Sequence, residues 1–203
     1  FGMVKFYKGA RSKGIKPIIG CDVLITNETN RLKPSRLLLF AKSRAGYLQL
    51  CDLLSRAWIE NQNSEQAEIR KEWLVKLTAS GSRSELIALS GAHFGDVGHA
   101  IAAGDLLDAE AKAMAWKKVF PDNYYIEIQR AGQVGMEAQV AASISIAARL
   151  GIPVVATHPV QFMRQEEFAA HEARTCIAQG ETISNPKRPR VFNDQQCFKT
   201  QAQ

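Results

Sequence analysis

An α/β fold built on a parallel sheet is predicted by three features of this sequence. Five short apolar runs recur along it, helical periodicity fills most of the intervals between them, and turn residues mark the joins. The opening stretch, with Met3, Val4, Phe6 and Tyr7 set among lysines, reads as a basic amphipathic helix that Gly14 ends. Lys16 to Ile25 enters through Pro17 and reads as a buried strand; a polar turn covers Thr26 to Lys33. Arg36 to Ala41 has the continuous apolar character of a strand covered on both faces. From Gly46 to Trp58, apolar residues at Leu48, Leu50, Leu53, Leu54 and Trp58 suit a helix packed on a core.

Residues Glu60 to Glu68, rich in Asn and Gln, read as a mobile loop, and Glu72 to Leu77 as a short helix leading to Gly81. Leu86 to Ser90 is the third strand, broken off by Gly91. Asp96 is placed to cap a helix through Ile101 and Asp105 one running to Phe120. Tyr124 to Gln129 alternates as a fourth strand, with Glu127 facing away from Ile126 and Ile128. Gly132 to Gly135 reads as a flexible turn, Met136 to Leu150 as the clearest helix with Gly151 past its end, Ile152 to Thr157 as the fifth strand and Glu166 to Ala178 as a last helix. The tail from Gly180 reads as irregular. Strands alternating with helices imply right-handed βαβ units, and in α/β barrels the functional groups sit at the C-terminal strand ends. Asp22, Ser90 to Phe94, Gln129-Arg130 and Thr157 to Gln161 fall there, and Arg36 is taken with them although it opens its strand.

The 203 residues, 46% hydrophobic and 23% charged, suit one soluble domain with a sizeable core. No apolar run approaches the roughly 20 residues that a membrane-spanning helix needs, and no signal-peptide pattern opens the chain. The start at Phe1-Gly2-Met3 suggests a piece of something longer. Cys21, Cys51, Cys176 and Cys197 are scattered without a CxxC pair, which argues against structural zinc or a disulfide framework and for thiols in a reducing cytoplasm. A net charge of +6 permits an acidic partner without requiring one. The tight basic cluster Lys187-Arg188-Pro189-Arg190 reads first as a solvated loop and second as a phosphate-backbone contact.

The catalytic inventory is thin. A hydrolytic metal cluster needs several His, Asp, Glu or Cys donors at one point. Asp22 and His158 sit near strand ends and His93 follows another, while His99 and His171 lie in helical stretches; taken singly, each reads more readily as a hydrogen-bonded structural residue than as a ligand. There is no GxxxxGK[ST] loop, no GxGxxG after a strand and no GxSxG elbow.

Several stretches, in order, resemble the PHP (polymerase and histidinol phosphatase) domain of bacterial DNA polymerase III alpha subunits. They are Gly2 to Tyr7, Gly14 to Asp22, Ala45 to Leu50, Leu89-Ser90-Gly91 with Gly95 to Gly98, Tyr125 to Ile128, Pro153 to Thr157 and Asn185 to Arg190. The resemblance implies a distorted (β/α)7 TIM-like barrel, present here as a partial barrel of about five parallel strands. It implies a partial PHP domain over residues 1–180 and a linker over 181–203 leading toward the polymerase module. At the family's metal positions this chain keeps Asp22. Arg36 and Ala92 replace a histidine and a cysteine, and Pro159 and Gln161 in Thr157-His158-Pro159-Val160-Gln161 replace an aspartate and a histidine.

A guanidinium about 4 Å from a dication would cost at least about 4 kcal/mol at an effective dielectric near 20. No catalytic or metal-binding residue is therefore assigned, and Asp22, Arg36 and His158 are left as a residual polar pocket, with Arg36 placed to form an ion pair with Asp22. The resemblance further implies a non-catalytic scaffold for a DNA-directed DNA polymerase that itself uses magnesium. Its implied partners are the rest of the alpha chain, a proofreading exonuclease subunit and DNA, in the cytoplasm with no membrane contact. An active metal-dependent phosphoesterase or 3′–5′ exonuclease is the alternative, and an unrelated barrel enzyme of sugar or phosphate metabolism a third.

Overall fold

The computed structural model describes residues 2–63, 66–79, 85–132 and 135–200. The break expected at Gly81 and the centre of the turn at Gln133 and Val134 lie outside them. In chain order the elements are α1 (Met3–Ser12), β1 (Gly20–Ile25), β2 (Ser35–Ala41), α2 (Arg44–Glu60), β3 (Gln62–Asn63), β4 (Gln66–Ile69), α3 (Lys71–Ala79), β5 (Leu86–Leu89), α4 (Asp96–Ala102), α5 (Leu106–Val119), β6 (Tyr124–Gln129), α6 (Met136–Leu150), β7 (Val154–Thr157) and α7 (Phe168–Gln179).

The helix stops follow from local chemistry. Gly14 ends α1 in the left-handed region at φ +72°, and Ile15 N–H returns to the Ala10 carbonyl. The Ser43 hydroxyl caps α2 by accepting from Gly46 N–H, and the Asp105 carboxylate caps α5 by accepting from Asp108 N–H. Gly151, at φ +59°, closes α6. Asp96 departs from its expected role: Gly95 is the cap of α4, and Asp96 is its first residue.

The sheet runs β3-β4-β1-β2-β5-β6-β7, an open array of seven strands rather than five. It is mixed rather than parallel. β1 and β2 pair antiparallel, as do β2 and β5, while β1 with β4 and β5 with β6 pair in parallel. Only residues 26–34 join β1 to β2, and a parallel crossover needs a dozen or more residues and usually a helix. The polar stretch Glu60 to Glu68 is likewise not the loop expected: within it and just beyond, β3 and β4 form a short antiparallel pair whose second strand lies against β1. Asn61, 4% exposed, anchors that edge by donating from Nδ2 to Thr26 Oγ1 and to the Glu68 carbonyl, both at 2.9 Å.

The described chain divides into two compact units, Phe1–Glu127 with Ala142–Val155 and Ile128–Ala141 with Ala156–Gln203. In the first, Val23, Ile25, Ser35, Leu37 and Leu39 form the buried face of β1 and β2, and α2 packs on β2 with Leu50, Leu53 and Ala57 buried. The alternate residues Asp22, Leu24, Arg36, Leu38 and Phe40 are half-buried or exposed on the other face. Beside the sheet, the indole N–H of Trp116, 1% exposed on α5, is shared between both carboxylate oxygens of Asp96 on α4 at 3.0 and 2.9 Å. The Lys71 ammonium lies 4.3 Å from the centre of the same ring.

In the second unit, Ala131, Met136 and Val140 form a small core with Ile128 packed on it. The segment after α7 is irregular, as expected, but it is docked. Arg188 is buried and pairs with Glu172 on α7, Phe198 N–H donates to the Phe162 carbonyl, and Phe192 meets His171 edge-on at 4.8 Å. The basic cluster is thus only partly solvated: Arg188 is structural, while Lys187 and Arg190 are exposed.

His171 ties this segment to a protonation state. Its Nδ1 faces the Arg174 guanidinium at 3.0 Å; a guanidinium only donates, so Nδ1 accepts and the proton sits on Nε2. That Nε2 is buried without a hydrogen-bond partner among the described residues, with Phe162 5.3 Å away ring to ring. Burial, with Arg174 as the lesser cause, holds the imidazole below its ordinary range. A depressed folded pKa means the neutral form stabilises docking fully above about pH 6.5 and the contribution fades as pH falls below it. Hydrogen exchange at the Phe198 amide, corrected for intrinsic rate, is expected to accelerate on acidification from pH 7 to 5, and His171→Phe to flatten that response.

Candidate functional site

The antiparallel turn between β1 and β2 brings the sequence-assigned residues Asp22 and Arg36 together. Asp22 is paired with Leu38 and Arg36 with Leu24 in the ladder, so the two are diagonal neighbours on one face. Arg36 Nε donates to Asp22 Oδ1 at 2.9 Å, with the Arg36 side chain 20% exposed and that of Asp22 61%. Asp22 lies in the middle of β1, not at its C-terminal end as expected. At such exposure the pair contributes on the order of 0–1 kcal/mol to stability. Its importance is chemical: it occupies the one acidic side chain retained at the expected metal positions.

The loop after β5 completes this side of the site. Gly91 lies in the left-handed region at φ +80°, and an added Cβ there would stand 2.3 Å from the Arg36 carbonyl oxygen; Gly95 is pressed onto the Ser90 carbonyl in the same way. Ser90 Oγ accepts from Glu127 N–H at 2.9 Å, fixing the loop to β6. Ala92, buried and at φ +49°, presents only a methyl group. His93 meets Phe94 at a 41° tilt with ring centres 3.9 Å apart; burial first, then the charge of Arg36, holds it below the usual imidazole range.

His158, Pro159 and Gln161 belong to the second unit, immediately after β7. There His158 Nε2 bonds the Gln195 carbonyl at 2.9 Å, and the backbone N–H of Gln161 donates to the Gln196 carbonyl. These contacts engage the imidazole and the backbone with the tail segment.

Among the described residues, no group of three or more His, Cys, Asp or Glu side chains is arranged to hold a metal ion. The side chains at this point, one carboxylate already paired with a guanidinium, a methyl group and an imidazole that burial and the charge of Arg36 hold below its usual range, do not make the several donors a hydrolytic metal cluster needs. What the arrangement can do is bind through charge and hydrogen bonds. The trio Lys71, Asp96 and Trp116 was not assembled by sequence reasoning, which singled out Asp96 only as a cap. Its members lie 20 to 45 residues apart with no shared motif.

The described residues contain no helix long and apolar enough to cross a membrane. The PHP domain family matches residues 1–131. The chain is 43% identical over 201 residues to DNA polymerase III subunit alpha of Pseudomonas aeruginosa, covering 99% of this chain and 17% of that protein. It is 46% identical over 200 residues to DNA polymerase III subunit alpha of Neisseria meningitidis serogroup A, covering 98% and 17%. The Vibrio cholerae subunit of the same name is 36% identical over 202 residues, covering 100% and 17%. The chain thus spans about one sixth of the length of these relatives, and it belongs to the PHP domain family.

Proposed function

We propose that this chain is the PHP segment of a replicative DNA polymerase III alpha subunit and serves there as a non-catalytic scaffold. The observation that carries the second half of the reading is the Asp22–Arg36 ion pair at 2.9 Å, which puts a fixed positive charge against the one retained carboxylate. In the longer protein the open sheet is part of a distorted (β/α)7 barrel, residues 1–180 make up this chain's share of the domain, and 181–203 lead toward the polymerase module. The scaffold supports that module and docks a proofreading exonuclease subunit. The polymerase module elsewhere in the chain carries out magnesium-dependent, template-directed DNA synthesis in the cytoplasm.

The test uses the full-length subunit. Metal analysis after dialysis against zinc and manganese is expected to find no ion whose retention depends on Asp22, and 3′–5′ exonuclease activity is expected to be the same for wild type and Asp22→Asn. Stoichiometric metal that Asp22→Asn releases, together with metal-dependent nuclease activity lost in the same variant, would overturn the scaffold reading in favour of an active phosphoesterase.

A further inference from the structure

Helix α1 is 10 residues long, and none of them is buried. A helix so short is marginal in water unless packing supports it, yet Met3, Val4, Phe6 and Tyr7 are all left exposed. Beside it opens a groove of about 550 Å³. Met3, Val4 and Tyr7 line it from α1; Ile19 ahead of β1, Ala41 at the end of β2 and Tyr47 on α2 complete its apolar surface. Ala41 N–H donates to the Ile19 carbonyl at 2.9 Å, which ties that surface to the sheet. All of these residues belong to the first unit.

The charge around the groove is of one sign. Lys8, Lys16, Lys42 and Arg44 line it, and no Asp or Glu does. None of the four makes an ion pair among the described residues. Lys42 Nζ donates to a neutral oxygen, Asn123 Oδ1, at 3.1 Å. From Gly2 to Cys21 the chain holds no carboxylate side chain, and Asp22, the first after them, is already paired with Arg36. Lys5, Arg11 and Lys13 add three more cations on α1 and just past its end.

An occupant that fits this surface has apolar anchors for the groove and carboxylates for its rim. A second copy of the chain does not fit, because a two-fold axis would set cations against cations. A nucleic-acid backbone would meet the cations but leave the apolar surface uncovered. We propose that the groove is filled, and α1 covered, by an acidic amphipathic segment of the same polypeptide lying outside these 203 residues. The inference rests on the reading of the chain as part of a longer subunit. The chain spans 17% of the length of its relatives, so most of such a polypeptide lies elsewhere. A tethered segment meets its site at an effective concentration on the order of millimolar, and permanent cover is what a short helix without buried residues requires.

Two measurements on the full-length subunit test this. Carbodiimide coupling joins an ammonium to a carboxylate without a spacer, and it is expected to link Lys8, Lys16 or Lys42 to Asp or Glu side chains outside residues 1–203. A mixture of isotopically light and heavy subunits is expected to show these links within single polypeptides. Amide exchange over Phe6 to Ala10 is expected to run at least about a hundredfold below the rate of an unstructured chain. Lys8→Glu combined with Lys16→Glu is expected to cut that protection about tenfold and leave Leu39 in β2 unchanged. Unprotected α1 amides, protection indifferent to the double reversal, links confined to residues 1–203, or links between light and heavy copies would each overturn the inference. Protection that appears only when DNA is added would assign the surface to nucleic acid and overturn it too. The underlying reading fails separately: an intact mass of only 22.4 kDa for the natural polypeptide would sink the longer subunit, and this inference with it.

Discussion

Gly91→Ala is expected to destabilise the centre of the sheet by about 3 kcal/mol or more. Two costs add. The left-handed conformation at φ +80° penalises any Cβ by about 1–2 kcal/mol. The larger cost is steric: the new carbon would stand 2.3 Å from the Arg36 carbonyl oxygen. That oxygen belongs to β2, where Arg36 pairs with Leu24 of β1 and the ladder with β5 begins two residues on at Leu38, so it cannot retreat without disturbing the sheet. Relief would have to come from the loop, but Gly95 lies as close to the Ser90 carbonyl and leaves no slack. In the full-length protein, amide exchange at Leu39 and Ala88 is expected to accelerate about a hundredfold, tenfold for each 1.4 kcal/mol. Gly104→Ala is the control. Gly104 has nearly the same φ, +79°, but open space around it, so only the conformational cost of about 1 kcal/mol applies. Equal effects at the two glycines would show that the loop does not rest on Arg36 as described.

The same comparison shows what could be read from the sequence. Gly14, Gly151 and Asp105 announced their helix ends because capping is a property of a few adjacent residues. The direction of β2 was missed, although the short link across residues 26–34 carried the information: too few residues separate the strands for a helical crossover. That error bears on the site, because only an antiparallel β2 sets Arg36 diagonally across from Asp22. β3 and β4 left no apolar alternation to find. They are held by backbone pairing and by the buried amide of Asn61, and polar composition alone reads as a loop. At the site, the residue types at Asp22, Arg36 and Ala92 could be judged one by one from a resemblance. The Lys71–Trp116–Asp96 arrangement could not, since it exists only once α3, α4 and α5 have packed.

Trp116→Ala is expected to cost about 3–5 kcal/mol, the usual range for removing a fully buried aromatic, and its effect should reach beyond the cavity. Three separate contributions are lost: the packing of a ring stacked with Phe120 at 6.3 Å, the N–H that both Asp96 oxygens share, and the surface on which the Lys71 ammonium rests. Trp116→Phe separates them. Phenylalanine restores most of the apolar contact and a ring face for Lys71, but it offers no donor. The difference from wild type is then chiefly the loss of the indole donor to Asp96, which keeps only the Val97 N–H, about 1–3 kcal/mol, and the difference between the two variants is the packing. Hydrogen exchange of the α4 and α5 amides in the full-length protein measures both. If Trp116→Phe were as damaging as Trp116→Ala, the indole N–H to Asp96, not the bulk of the ring, would be what joins α4 to α5. A silent Trp116→Phe would instead mean that Asp96 finds another donor, for which Lys71, on the same ring and within the field of Asp96, is a candidate.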